Sequence, residues 1–521
     1  MVEFLRQRPG LLPIAALLLL IAAYFGNLGA RPLWADEGTR AVVALEMLLS
    51  GNYWVPTING ELYFNKPPFY NWIILWLFKL TGSWNEWMVR LPSVVPLVLF
   101  GFTIYWWTKK HLGKATAFLA AAMFVTCGRM LIYSSMLGHI DIFYSWVTFL
   151  SFMAIFYFQQ KEKWLLLFVV SYFLSAIAFL CKGLPTVLFQ GFTVIGWLVV
   201  TKNWKKLLSW QHLLGIVVFL VPVGGYFLKY NQYHDAMDWA AVLWDQSAQR
   251  TVVDKAWYES ILHVFVFPLE QVMHLAPWSI LAVFLFRRKL YQEIRERPLL
   301  FFCAVTVLVN IPVYWLSPDV LPRYLFMLYP LLFMVIAWGY FHFRSDWPKV
   351  TKVVELVLGM ALVLSILGPL GVLFTDLDIT FLWLKIGLVM VGLGLLAFLY
   401  FKLPEQKMVV LTLGLLMVRV GFNFFVLEDR IQNSDEPMRK AMATKVGQTA
   451  KGNNTVTWSG LNHESIFYIE RETEQVLHRA KELSQNRLYI VYEAELDLSK
   501  AKKLDSLQIR HENRMLYLVQ F

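Results

Sequence analysis

Two short runs near the N-terminus hold residue types suited to chemistry at a surface: Asp36-Glu37 with Arg40, then Tyr63-Phe64-Asn65-Lys66-Pro67. A carboxylate beside a second carboxylate suits a general base that takes a proton from an acceptor hydroxyl while its neighbour sets local charge. The same acids would also serve at the head of a helix over 38–49, where negative charge stabilises free N–H groups. Spacing leaves both readings open, because one acid can hold the helix while the other reacts. Lys66 stands before Pro67-Pro68, which keeps its backbone extended and directs the ammonium from a stiff segment. A lysine at a bilayer surface suits a lipid phosphate as a compact point charge. It equally suits plain snorkelling to headgroups.

Further along, Asp141 follows Gly138-His139-Ile140 at the head of an apolar run, as a site carboxylate or as another helix cap. Lys182 lies in the tight turn Cys181-Lys182-Gly183-Leu184-Pro185. Arg250, six residues into Asp245-Gln246-Ser247-Ala248-Gln249-Arg250, offers a planar fork for phosphate oxygens. Arg323-Tyr324 open another apolar run, where polar groups also serve as interfacial anchors. Glu270, Lys385 and Arg419 lie within apolar runs; charges there are functional or paired inside a bundle, and no chemical role is assigned to them.

The elements that must position these residues are set by composition. The chain is 58% apolar, 16% aromatic and 16% charged over 521 residues. Soluble domains carry about a quarter charged residues, so the expected class is a polytopic α-helical membrane protein. A net charge of +11 would point a soluble protein toward nucleic acid. Here Lys and Arg cluster in short loops between apolar runs, which records orientation across a bilayer and excludes that partner. Cys127, Cys181 and Cys303 lie in or at the ends of apolar runs, with neither a disulfide framework nor metal-ligand spacing.

Apolar runs of roughly 20 residues give about 13 spans, from 11–25 to 408–426. The run 69–80 is short and follows Pro67-Pro68. If it crossed, every later basic loop would face outward, so it is expected to lie along the interface, amphipathic through Asn71 and Lys79. That choice puts the first loop (27–90), Asp141, Lys182, Arg250, Arg323 and everything after Val426 on the non-cytoplasmic side. The expected organisation is a transmembrane unit over 1–426 and a small soluble α/β domain over 427–521. Within the latter, 438–450 reads as helical, and 455–459, 488–492 and 515–521 read as strand-like. The segment has no nucleotide loop, catalytic elbow or metal motif, and reads as a cap or an acceptor-docking module.

Together these pieces resemble the lipid-phosphosugar-dependent glycosyltransferases of the GT-C class, in the group of the lipid A aminoarabinose transferases and, more distantly, the protein O-mannosyltransferases. The resemblance is carried by Arg31-Pro32-Leu33-Trp34-Ala35-Asp36-Glu37-Gly38-Thr39-Arg40, Glu46-Met47, Ser50-Gly51, Asn59-Gly60 and Tyr63-Phe64-Asn65-Lys66-Pro67-Pro68. It continues through Arg90-Leu91-Pro92-Ser93, Asp141, Lys182-Gly183, Arg250, Pro277-Trp278 and Arg323-Tyr324. It implies a sugar donor on a polyprenyl phosphate, a bacterial inner membrane and a periplasmic site. By that analogy Asp36 is the base, with Glu37 and Asp141 as the further carboxylates of the catalytic set. Lys66 and Arg250 hold the phosphate, with Tyr63, Arg40, Lys182, Arg323 and Tyr324 lining the donor side. The aminoarabinose branch commonly has glutamate where this chain has Asn65 and histidine where it has Asp245, positions associated there with a bound metal. One carboxylate is lost and another gained, so a divalent metal cofactor at Asn65 and Asp245 stays open, as does the identity of the sugar.

Direct displacement at an anomeric carbon needs a base for the acceptor proton, cations for the departing phosphate and exclusion of water. A lipid-linked phosphate can leave without any nucleotide site, which agrees with a chain lacking P-loop and Rossmann signatures. The acceptor class, whether lipid A, another glycolipid, a glycan or a protein, is open. The alternative class is a transporter or flippase of lipid-linked sugars, which the spans alone would also permit. The polar first loop and the soluble outer segment favour surface chemistry, and no pair of matched halves with interrupted helices is visible.

Overall fold

The computed structural model describes residues 1–239, 241–242, 257–316, 320–484, 486–510 and 514–521. Among them, eight helices are long and apolar enough to cross a membrane, or ten if each of two bent pairs is one span. The bent pairs are Lys114–Thr126 with Gly128–Met136, at 45°, and Leu262–His274 with Trp278–Leu285, at 118°. Three shorter apolar helices, Leu11–Phe25, Pro185–Val200 and Tyr329–Phe343, occupy the other expected positions. A count of about 13 requires every bent pair and every short helix to cross. The outer faces of the bundle are apolar. Leu213, Leu220 and Val221 on the helix Trp210–Tyr230 are exposed, a surface that fits lipid rather than water. The chain is a polytopic membrane protein.

The first loop folds as α1 (Asp36–Ser50), a hairpin of β1 (Thr57–Ile58) and β2 (Glu61–Leu62), and α2 (Phe69–Thr81). Ala41, Val42, Ala44 and Leu45 put the apolar side of α1 in the core, and Gly51 ends the helix at φ +71°. The hairpin turn is Asn59-Gly60, with φ of +55° and +70°; two positive φ values in a two-residue turn suit this dipeptide. Helix α2 is too short to stand among the candidate spans. Its polarity differs from the expectation. Asn71 is buried and donates from Nδ2 to the Arg40 carbonyl at 3.1 Å, whereas Trp76 and Leu80 are exposed. Asn71 is therefore an internal tie between α2 and α1, and only Lys79, bonded to Tyr53, lies on the exposed side.

The C-terminal segment contains α3 (Glu436–Ala450), β3 (Thr455–Thr457), α4 (His463–Thr473), β4 (Leu488–Tyr492), β5 (Lys502–Gln508) and β6 (Met515–Gln520). The strands form one sheet in the order β3-β4-β6-β5, with β3 and β4 parallel and the other pairs antiparallel. Alternate residues of β4 go to opposite sides. Leu488 and Ile490 join the main core, while Tyr489 and Val491 pack with Val456, Leu498 and Val519. This segment is bolted to the first loop by polar contacts. Arg31 forms two 2.9 Å bonds to Glu436, Lys440 reaches Glu86 at 2.5 Å, and the Tyr468 hydroxyl accepts from Leu33 N and donates to Glu86.

Candidate active site

The chemistry-bearing residues converge where α1 begins. Ala35 caps that helix with φ +54°, an uncommon backbone for alanine, and no side chain bonds the first free N–H groups. Asp36 and Glu37 thus lie inside the first turn, stabilised there by the helix dipole rather than serving as caps. Asp141 is placed alike: His139 is the cap and Asp141 falls in the first turn of the helix Ile140–Gln160.

Adjacent helical residues project about 100° apart, and this separates the two acids. Glu37 is fully buried. Its Oε2 accepts from Arg90 Nε at 3.1 Å and Nη2 at 2.9 Å, and its Oε1 accepts from Gly138 N at 3.2 Å. Arg90 also donates to the carbonyls of Leu28, Arg31 and Pro32. The pair therefore fastens α1, the loop before it and the Gly138 turn together.

The Asp36 side chain is 56% exposed and enters a chain of alternating charges. Arg323 Nη2 donates to Asp36 Oδ2 at 2.5 Å, Arg323 Nε faces Asp141 Oδ2 at 3.5 Å, and Lys182 pairs with Asp141 Oδ1. Arg323 Nη1 lies 3.3 Å from His139 Nδ1. The Lys182 ammonium sits 4.0 Å from the Tyr324 ring centroid and 5.0 Å from that of Tyr144. Burial would raise the Asp36 carboxyl, but the Arg323 guanidinium, with Arg40, holds it below the usual carboxylate range. Burial and then Arg323 push the His139 imidazole down to about 4, so it is neutral and its Nδ1 can accept. Two carboxylates against two cations leave this chain of charges close to neutral.

Arg40 lies one turn after Asp36 on α1, donates from Nη2 to the Tyr63 hydroxyl at 2.7 Å, and is buried. Burial raises the Tyr63 hydroxyl, and the Arg40 guanidinium works against that rise. Lys66 is half-buried between β2 and α2, next to buried Pro67-Pro68. Arg250 and Asp245 lie outside the described residues. No group of three or more His, Cys, Asp or Glu side chains among the described residues is arranged to hold a metal ion, and Asn65 contributes only a neutral amide. The expected pair of Asn65 and Asp245 therefore falls partly outside the described residues.

Beyond Asp36 the C-terminal segment closes over a cavity of about 470 Å³, lined by Asp36, Thr39, Asn462, His463, Arg510 and Arg514 among others. Thr39 Oγ1 and His463 Nδ1 are 2.7 Å apart. Gly38 makes this approach feasible, since a Cβ there would fall 2.8 Å from Glu464 Cγ and 2.9 Å from its backbone N.

The model of the dolichyl-phosphate-mannose-protein mannosyltransferase family matches residues 65–226. Over 97% of both chains, the structure superposes on ArnT from Cupriavidus metallidurans bound to undecaprenyl phosphate, with a TM-score of 0.71 and 17% identity. This is the ArnT fold. By sequence, the chain is 26% identical over 269 residues to the undecaprenyl phosphate-alpha-4-amino-4-deoxy-L-arabinose arabinosyl transferase of Edwardsiella ictaluri, covering 50% of this chain and 47% of that one. It is 27% identical over 375 residues to the Yersinia enterocolitica enzyme of the same name, covering 68% and 64%. The chain spans about half the length of the first of these curated relatives. It resembles the GT-C glycosyltransferases.

Of the residues expected to act together, this ArnT-like fold joins Asp36, Asp141, Lys182, Arg323 and Tyr324 in one network, and Arg40 with Tyr63 beside it. Glu37 is turned into the core. Sequence reasoning gave no role to His139, Thr39 or His463. His139 stood two residues before Asp141 at a helix start, which is a usable signal; His463 had none, because only tertiary docking brings α4 to α1.

Proposed function

We propose that this protein is an integral-membrane glycosyltransferase that moves a sugar from a polyprenyl-phosphate donor to an envelope acceptor on the periplasmic side of a bacterial inner membrane. The observation that carries the reading is the placement of Asp36, half-exposed and fixed by Arg323, at the joint between a membrane-borne charge network and a polar cavity roofed by the C-terminal segment. The relatives named for undecaprenyl phosphate sugar transfer, and an ArnT of the same fold solved with undecaprenyl phosphate, support the donor class.

In this reading the acceptor enters the cavity and presents a hydroxyl to Asp36. The oxygen attacks the anomeric carbon, the carbon–oxygen bond to phosphate breaks, Asp36 takes the proton, and polyprenyl phosphate leaves with the electron pair. Asp36 is a weak base, so its contribution lies in position more than in basicity. By the same resemblance, Lys66 and Arg250, with Arg40, supply the attraction for the departing phosphate. Glu37 serves by holding α1 and does not meet substrate. Residues 427–521 act as a periplasmic domain that walls the acceptor side, and about 13 spans put both ends of the site outside. The testing experiment is mass spectrometry of envelope glycolipids, glycans and glycoproteins from cells with and without this gene. One missing sugar mass supports the reading; unchanged profiles in all three fractions contradict it.

A further inference from the structure

The first-loop hairpin is held to the C-terminal segment around two carboxyl groups that the transfer chemistry does not use. Glu46, on α1, and Glu470, on α4, are both fully buried. Glu46 Oε1 accepts from Asn59 N at 2.5 Å and Oε2 from Gly60 N at 3.2 Å, so this side chain gathers the N–H groups of the hairpin turn. Glu470 Oε1 accepts from Leu477 N at 2.8 Å, gathering the loop after α4. That loop and the turn also bond directly. Asn59 Nδ2 donates to the Leu477 carbonyl at 2.8 Å, and Arg479 N donates to the Asn59 carbonyl at 3.2 Å.

Glu470 Oε2 has no donor among the described residues, and the Glu46 and Glu470 carboxyls face each other across the hydrogen bonds that Asn59 and Leu477 make. Two ionised carboxylates are acceptors only and cannot bond each other. A single proton between them converts a buried like-charge contact into an O–H···O bond and satisfies the orphaned oxygen. We propose that Glu46 and Glu470 share one proton, and that this proton latches the β1–β2 hairpin onto the C-terminal segment, so that docking loosens as the medium becomes alkaline. The latch is independent of the transferase reading, although the hairpin it holds leads directly into Tyr63 and Lys66.

The sign follows from linkage. Burial, and then the charge of Glu46, raise the Glu470 carboxyl well above the usual carboxylate range in the docked state. Burial likewise raises Glu46. An undocked pair is solvated and releases the proton more readily. Docking is therefore fully supported below the undocked pKa and is lost as pH rises through the docked one. The charged groups around the pair are few. His478 packs on Gly60, Arg479 faces Glu61 at 3.8 Å, and on the neighbouring α3 Lys445 is bonded to Asp505; Lys451, just past its end, is bonded to Glu474. His478, packed on Gly60, is the position whose substitution serves as the control.

Hydrogen–deuterium exchange of the full-length protein in lipid nanodiscs, read at peptides holding the Asn59, Gly60 and Leu477 amides, tests the latch. After correction for intrinsic exchange, wild-type protection should fall by up to about tenfold per pH unit on the alkaline side, because opening releases one proton. Glu470→Gln keeps a hydrogen bond to Glu46 without an ionisable proton and should abolish the slope. Glu46→Gln provides a second route to the same flat profile, with lower starting protection at Gly60. His478→Gln should leave the slope intact. A flat wild-type profile overturns the proposal, as does a slope that survives Glu470→Gln and disappears in His478→Gln.

Discussion

Arg323 donates to Asp36 at 2.5 Å across 287 residues of chain, joining the head of a late apolar helix to the first turn of α1. The bond fixes one oxygen of a carboxylate whose other oxygen remains available, since the side chain is 56% exposed. Burial would raise that carboxyl, and Arg323 together with Arg40 more than offsets it. Asp36 is thus oriented and ionised together.

Asp36→Asn keeps the shape of the side chain and removes its proton affinity. The variant should insert, fold and bind donor as wild type does, while transfer falls by roughly a hundredfold or more, the usual scale for a lost general base. Single-turnover transfer and donor binding, measured side by side, check this. Near-normal transfer would return Asp36 to a charge at a helix start and shift attention to Asp141.

Arg323→Gln should move the acid limb of the residual pH–rate profile to higher pH. The folded-state carboxyl of Asp36 is depressed by Arg323, so its ionised form persists as pH falls until that lowered pKa is crossed. Without the guanidinium, protonation begins sooner. The stability linked to Asp36 has the same sign: present above its unfolded pKa and lost as pH falls through the folded one. An acid limb that stays in place in the variant would dissociate Asp36 from the profile.

Arg90→Ala leaves the buried Glu37 carboxylate with only the Gly138 amide and frees three carbonyls. Removing one partner of such a pair costs about 3–5 kcal/mol. Thermal unfolding in detergent should show a marked loss of stability, and Glu37→Gln, which retains acceptor and donor atoms, a smaller one. Wild-type melting for Arg90→Ala would contradict the positioning role given to Glu37.

Orientation can be read by labelling. In a background without the three buried cysteines, Ser83→Cys, just after α2, should react with an impermeant thiol reagent added from outside. His111→Cys, at the other end of the helix Glu86–Leu112, should not. Outside labelling of His111→Cys would invert the bundle and place the site in the cytoplasm.

What the sequence made legible follows period and charge. The long apolar runs, the short α2 and the strand at 488–492 emerge as expected because each is decided by local pattern. The edge strand Lys502–Gln508 escaped because its pattern is polar, as suits a strand with one open side. Asp36 and Arg323 were each singled out, yet their bond depends on packing between distant helices and has no local signature. Asn71 looked like a polar face and is an internal tie, since helical periodicity places a polar residue on a face without saying what covers it. Asp36 and Glu37, side by side in sequence, divide between cavity and core only once the orientation of α1 is known. Glu46 read as part of a motif; its partner Glu470 lies on α4, 424 positions on, and only docking reveals the pair.

The central claim is turnover at the joint between Asp36 and the lipid-linked phosphate. The direct measurement is release of polyprenyl phosphate from polyprenyl-phosphate sugars by purified protein in proteoliposomes supplied with an envelope glycolipid, glycan and protein extract. Wild-type protein should release polyprenyl phosphate in step with sugar appearing on one acceptor class, and Asp36→Asn should bind the donor and release almost none. Donor that is bound, or moved between leaflets, with its sugar–phosphate bond intact in the wild type would contradict the claim.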